Sequence, residues 1–171
     1  MKRQSWVRTL VGAVVLSLLV GGSVSADRGV SATLGDVQIS LQQAAFLSCH
    51  DLDYPVLRCF DTSSEMANEV QRRIRGNGLS DTQFAVLDVG YVIVYEHAGY
   101  SGSALSLSAD QGWLSSIGWN DRISSFKSFG AAGNFRENSP ASGFYYYFSS
   151  SSQVPTLNGT YNDKFSALYL N

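Results

Sequence analysis

The sequence predicts a mainly β protein, with one C-terminal β domain of two similar halves behind a small α/β extension. Three observations carry this. From Phe84 onward, short apolar runs alternate with clusters of Gly, Ser and Asn, the texture of an all-β domain. Asn120-Asp121 and Asn162-Asp163 open two similar segments 42 residues apart. Ahead of both, residues 62–78 carry the start, stripe and stop signals of a single helix.

Residues 1–26 read as an export signal. Lys2, Arg3 and Arg8 form a positive start, Leu10 to Val20 an apolar run, and Val24-Ser25-Ala26 a small-residue cleavage site. The expected protein is therefore secreted, with no membrane span after cleavage, since the apolar run is short for one. The leader holds three of the twelve basic residues and none of the fourteen acids. The mature chain then has nine Lys and Arg against fourteen Asp and Glu, a net charge of −5. That balance argues against nucleic acid as a partner, which needs a basic footprint.

Residues 27–83 form the expected extension. Val37 to Leu41 reads as a strand. Cys49 and Cys59 are the only cysteines, and in an exported chain they are expected to pair. Zinc held by these cysteines and His50 is the sharper reading, but only His97 remains to complete a ligand set. Thr62-Ser63-Ser64-Glu65 is a capping box. Met66, Ala67, Val70 and Ile74 then make an apolar stripe, and Gly76-Asn77-Gly78 ends the helix. Arg72, Arg73 and Arg75 fall in the last turn, where the helix dipole favours them, and read as a solvated face.

Residues 84–171 form the expected β domain. In the first half, Phe84 to Leu87 and Tyr91 to Tyr95 read as strands. Ala98 to Gly102 reads as a hairpin, Ala104 to Ser108 as a strand with one buried face, and Trp113 to Trp119 as a crossing segment. The second half repeats the plan. Asn134 to Glu137 reads as a strand, Asn138 to Gly143 as a hairpin and Val154 to Tyr161 as the crossover. The aromatic run Phe144 to Phe148 reads as a strand packed on both faces, with a ligand-stacking platform as the alternative. An aromatic and a glycine precede each Asn-Asp pair: Trp119 with Gly118, and Tyr161 with Gly159. Asn158-Gly159-Thr160 fits either a plain turn or a glycosylation acceptor.

The two polar corners, Asn120-Asp121 with Ser124-Ser125 and Asn162-Asp163 with Ser166, gather short oxygen donors beside turns. Such donors suit a hard cation such as calcium. They equally suit ordinary turn chemistry.

Two motifs go further. Tyr95-Glu96-His97-Ala98-Gly99-Tyr100-Ser101-Gly102 resembles the hairpin signature of the βγ-crystallin superfamily. Asn120 to Ser125 is similar to that family's calcium motif, two Asn or Asp, two free positions, then Ser or Thr and Ser. The resemblance covers residues 84–171. It implies two Greek-key motifs forming a β-sandwich with two calcium ions between them. The implied ligands are hairpin carbonyls at Glu96 and Glu137, the side chains of Asn120, Asp121, Asn162 and Asp163, third-position carbonyls at Arg122 and Lys164, and the hydroxyls of Ser124 and Ser166. The second copy departs from the pattern. Counted from Phe135, its second aromatic is Pro140, its glycine falls one residue late at Gly143, and Ala167 replaces the last serine. Few carboxylates, with Arg122 and Lys164 adjoining, imply modest affinity.

No catalytic constellation is visible, so the chain does not read as an enzyme. Its expected class is a secreted binding or structural module whose partner is calcium. The alternative is a secreted metalloprotease inhibitor or killer-toxin-like protein, as small crystallin-like domains of this kind imply. The loops it would present to a protease are Cys49 to Cys59, with Asp53-Tyr54-Pro55, and Asn138 to Gly143.

Overall fold

A computed structural model describes residues 29–75 and 90–171. The leader, the Phe84 to Leu87 strand and the Gly76 to Gly78 helix stop fall outside them.

The chain opens with β1 (Ser31–Leu34), β2 (Val37–Ile39), a one-turn helix α1 (Leu41–Ala44), β3 (Ser48–Asp53), β4 (Val56–Phe60) and helix α2 (Ser63–Arg75). The expected strand at 37–41 stops at Ile39, because Ser40 forms a capping box with Gln43 and starts α1 instead. The second capping box forms as expected. Thr62 Oγ1 accepts from the Glu65 N–H at 3.2 Å, and Glu65 accepts from the Thr62 N–H at 3.2 Å. Cys49 and Cys59 face each other across β3 and β4 and form the disulfide.

The remaining strands are β5 (Tyr91–His97), β6 (Ser101–Leu107), β7 (Ser125–Phe129), β8 (Gly133–Asn138), β9 (Ser142–Phe148), β10 (Gln153–Val154) and β11 (Ala167–Leu170). They lie in two sheets, ordered β10-β7-β5-β6-β3-β4-β1-β2 and β11-β8-β9. The order defines two interlocked Greek keys. The first motif is β5, β6, a short bridge at Gln111, and β7; the second is β8, β9, β10 and β11. Each motif lends its third strand to the other's sheet: β10 pairs with β7, and Gln111 bridges Leu168 of β11. Neither half can therefore close its sheet alone.

β5 reads Tyr-Val-Ile-Val-Tyr with no polar alternation because both of its faces are covered. Val92 and Val94 enter the sandwich core with Leu105, Leu107, Phe126 and Phe135. Tyr91, Ile93 and Tyr95 meet Met66 and Val70 of α2 on the other side. Each fully buried side chain of this kind contributes about 1.5–3 kcal/mol.

This second layer corrects the expectation for residues 104–108. Ala104 lies under α2 while Leu105 and Leu107 enter the sandwich, so Ala104 to Leu107 is buried on both faces. The reverse holds for β9. Phe144, Tyr146 and Phe148 pack inward, but Tyr145 is 47% and Tyr147 62% exposed. The aromatic run is packed on one face only, since nothing equivalent to α2 covers the smaller sheet among the described residues.

The extension is joined to the domain edge to edge, β3 pairing in parallel with β6. Arg73 clamps α2 to the β3–β4 turn through Asp53 at 2.8 Å and holds Glu69 at 2.7 Å. Of the arginines read as a solvated face, Arg72 pairs with its helix neighbour Glu69, and Arg73 is this structural tie.

Candidate functional site

The sandwich brings the two Asn-Asp corners together through reciprocal backbone bonds. The Asp121 N–H donates to the Phe165 carbonyl at 2.9 Å, and the Asp163 N–H donates to the Ile123 carbonyl at 3.1 Å. Both aspartates hold the left-handed conformation at φ +54°, which Asp tolerates through local side-chain bonding. In each corner the Asn amide donates to the neighbouring carboxylate, Asn120 to Asp121 at 2.7 Å and Asn162 to Asp163 at 2.6 Å. The corners are structurally equivalent, and each is tied to the other's motif.

The serines complete this equivalence. The Ser124 N–H donates to the Tyr95 carbonyl at 3.0 Å, and the Ser166 N–H donates to the Arg136 carbonyl at 2.8 Å. Each serine therefore sits beside the next hairpin residue, Glu96 or Glu137. In both hairpins the strand register slips across that glutamate. A bulge of this kind leaves its residue unpaired in the ladder. The carbonyls of Arg122 and Lys164 accept no backbone hydrogen bond among the described residues.

One contact crosses the motifs at side-chain level. The Ser124 hydroxyl donates to Asp163 Oδ1 at 3.0 Å. The mirror pair, Ser166 with Asp121, makes no such bond among the described residues. Asp121 and Asp163 are exposed, whereas Ser124 is buried. The donors are a carboxylate, a hydroxyl and carbonyls, all hard oxygens, and they fit calcium rather than a softer metal. No group of three or more His, Cys, Asp or Glu side chains converges among the described residues.

The Arg122 side chain turns away from the corner. Its guanidinium donates to Glu96 at 2.8 Å, to the Gly118 carbonyl at 2.8 Å and to the Ala45 carbonyl at 2.7 Å. Partial burial works to raise the Glu96 pKa, but the Arg122 hydrogen bond and charge prevail and hold it below the ordinary carboxylate range. Arg122 and Glu96 thus neutralise one another. Lys164 is exposed, with no acidic partner among the described residues.

The structure revises the reading of the second copy. Strand pairing equates Tyr95–Ala104 with Arg136–Tyr145 and His97–Ser101 with Asn138–Ser142. The hairpins are thus offset by 41 residues, one fewer than the corners. Gly143 (φ +76°) is then the true counterpart of Gly102 (φ +78°), not one residue late. At Gly143 an added Cβ would lie 2.5 Å from the Glu137 carboxylate. What the second hairpin lacks is its aromatic pair, with Arg136 and Ala141 in place of Tyr95 and Tyr100. Alanine at position 167 removes no corner donor either. Its counterpart Ser125 spends its hydroxyl on the His97 carbonyl at 2.6 Å, latching the first hairpin. The second hairpin is latched by Ser139, whose hydroxyl donates to the Ser166 carbonyl at 2.7 Å.

Glycine punctuation is less regular than its spacing suggests. Gly118 caps the 3-10 turn Leu114–Ile117 at φ +75°, while Gly159 does not adopt a positive φ. Of the two loops that the sequence offers as protease contacts in the alternative reading, Asp53-Tyr54-Pro55 forms the β3–β4 turn with Tyr54 half-exposed, and 138–143 spans the β8–β9 turn.

No family model matches the chain, and no curated protein matches it. Solved structures similar to it are βγ-crystallin domains. One from an archaeon is 25% identical over 48% of this chain and 99% of its own, with a TM-score of 0.45. One from Ciona intestinalis is 22% identical over 47% and 99%, with a TM-score of 0.45. A domain from Clostridium beijerinckii is 26% identical over 47% and 95%, with a TM-score of 0.42.

Proposed function

We propose that the C-terminal βγ-crystallin-like domain is a calcium-binding module of an exported, non-enzymatic protein. The observation that carries this reading is the Ser124–Asp163 contact, where a hydroxyl of one motif meets a carboxylate of the other at 3.0 Å. An ion at that junction replaces the hydrogen bond with two oxygen ligands, and the Glu96 carbonyl adjoins them. The related position at Asp121, Ser166 and Glu137 is the second, weaker site. Arg122 and Lys164 contribute carbonyls, and Asn120 and Asn162 support the two aspartates. With one carboxylate per site, dissociation constants fall in the range of extracellular modules, roughly 0.1–1 mM.

Calorimetric titration with calcium tests this. The wild-type chain should bind, Asp163→Ala should lose the tighter site, and Ser124→Ala should weaken it. Absence of binding heat, or equal binding by all three proteins, would refute the reading.

Protease inhibition is the second reading, favoured by one observation. The β3–β4 turn presents an exposed Tyr54 on a hairpin braced by the disulfide and by Asp53 bonded to Arg58 and Arg73. A rigid loop loses little entropy on entering a cleft. Inhibition of a thermolysin-like protease that is lost in Tyr54→Ala would support it; no inhibition across a panel of secreted metalloproteases would end it.

A further inference from the structure

The outer face of the smaller sheet carries chemistry that the calcium reading leaves unused. Register places Tyr147, Asn134 and Tyr169 in one cross-strand row, and Tyr145, Arg136 and Ala167 in the next. Tyr145 and Tyr147 are exposed with ring centroids 4.8 Å apart. Two neighbouring rings on the solvent side of a strand have no role in the core, which Phe144, Tyr146 and Phe148 fill from the opposite side.

The polar groups between these rings are not satisfied by the protein. Asn134 is 6% exposed and its Oδ1 has no hydrogen-bond partner among the described residues; Arg136 Nε is buried and likewise lacks one there. Such groups ordinarily cost stability and are rare in folded proteins. The Arg136 guanidinium stacks over Tyr145 at 4.7 Å, and no acid pairs with it among the described residues. A stacked guanidinium keeps its planar edge for a bidentate carboxylate.

We propose that this face binds an acidic saccharide, one hexuronate joined to a neutral sugar. Tyr145 meets Tyr147 edge to face at 66° and carries Arg136 on its ring, so a pyranose lays its apolar face on the more exposed Tyr147. Its carboxylate suits Arg136. Nucleic acid would use the same stacking, but it needs several cations along its path. This face offers one unpaired guanidinium, on a chain with a net −5 charge after the leader.

The test is a titration of the protein without residues 1–26 with an aldobiouronic acid, one hexuronate joined to a neutral sugar, followed by amide chemical shifts. EDTA is kept present so that the result does not depend on the calcium sites. Residues 134, 136, 145 and 147 should shift. Tyr147→Ala and Arg136→Gln should each weaken binding by about tenfold or more, and Arg136→Lys by less. Unfolding midpoints recorded beside the titrations show that each variant is folded, and shift mapping on the wild type stands without any variant. No shifts on this face, equal binding of a neutral cello-oligosaccharide, or preferential binding of single-stranded DNA would overturn the proposal.

Discussion

Arg122 ties the α1–β3 connection to the first Greek key through one guanidinium. It donates to Ala45 in the extension, to Gly118 at the 3-10 cap and to Glu96 in the first hairpin. From the sequence it reads as a positive charge beside the corner. Its partners lie 77, 4 and 26 residues away, so no local pattern reveals that the charge is already answered. Arg122→Gln should lower stability by roughly 1–3 kcal/mol, because Glu96 and two carbonyls lose a charged donor. Glu96 has a lowered pKa in the folded chain, so the ion pair contributes above its unfolded pKa and fades as pH falls through the folded value. The gap between wild type and variant should therefore narrow in acid. Urea unfolding at neutral and acid pH measures both effects, and a gap that is constant with pH would contradict the assignment.

At the scale of elements, helix α2 decides how the strands beneath it look. An apolar stripe at Met66, Val70 and Ile74 is legible because its spacing is local. Where that stripe lands is not, and so β6 reads as half-buried when both its faces are covered. β9 is the converse: its five aromatics read as doubly buried, yet only the neighbours of a strand decide how many faces are covered.

The same interface buries His50, which is 0% exposed, its Nε2 without a hydrogen-bond partner among the described residues. Burial first, and Arg73 second, push its pKa down to about 4 against the opposing pull of Asp53 and Glu69. The unfolded chain takes up this proton near pH 6.5 and the folded chain only near 4. Stability should therefore fall as pH drops from about 6.5 to 4 and then level, by on the order of 3 kcal/mol. Buried Asp51 has a raised pKa and works in the opposite sense, favouring the folded chain in acid. Comparing wild type with His50→Gln isolates the histidine. The variant should lose the slope between pH 6.5 and 4, and an unchanged slope would exclude His50 as its source.

Across the whole molecule, duplication is what the sequence shows best. The 42-residue return of Asn-Asp marks two equivalent corners, and the structure sets them together through matched backbone bonds. The exchange of third strands is hidden because β10 has two residues and Gln111 makes only a bridge, too short for any periodicity. The 41-residue offset of the hairpins is hidden for a related reason. Arg136 stands where the first copy has Tyr95, so a count begun at the nearest aromatic, Phe135, starts one residue early, while the bulged glutamate and the left-handed glycine keep their spacing. Joining β3 to β6 is a long-range parallel pairing, and no short motif announces it.

Because the corners join two motifs, an ion held between them exists only in the folded chain and should stabilise it by mass action. The most direct measurement is the thermal midpoint of the protein without residues 1–26 in EDTA and across a calcium series, alongside Asp163→Ala. Calcium at about ten times its dissociation constant should raise the wild-type midpoint by several degrees and that of Asp163→Ala by clearly less. A wild-type midpoint that is the same in EDTA and in saturating calcium would contradict the account.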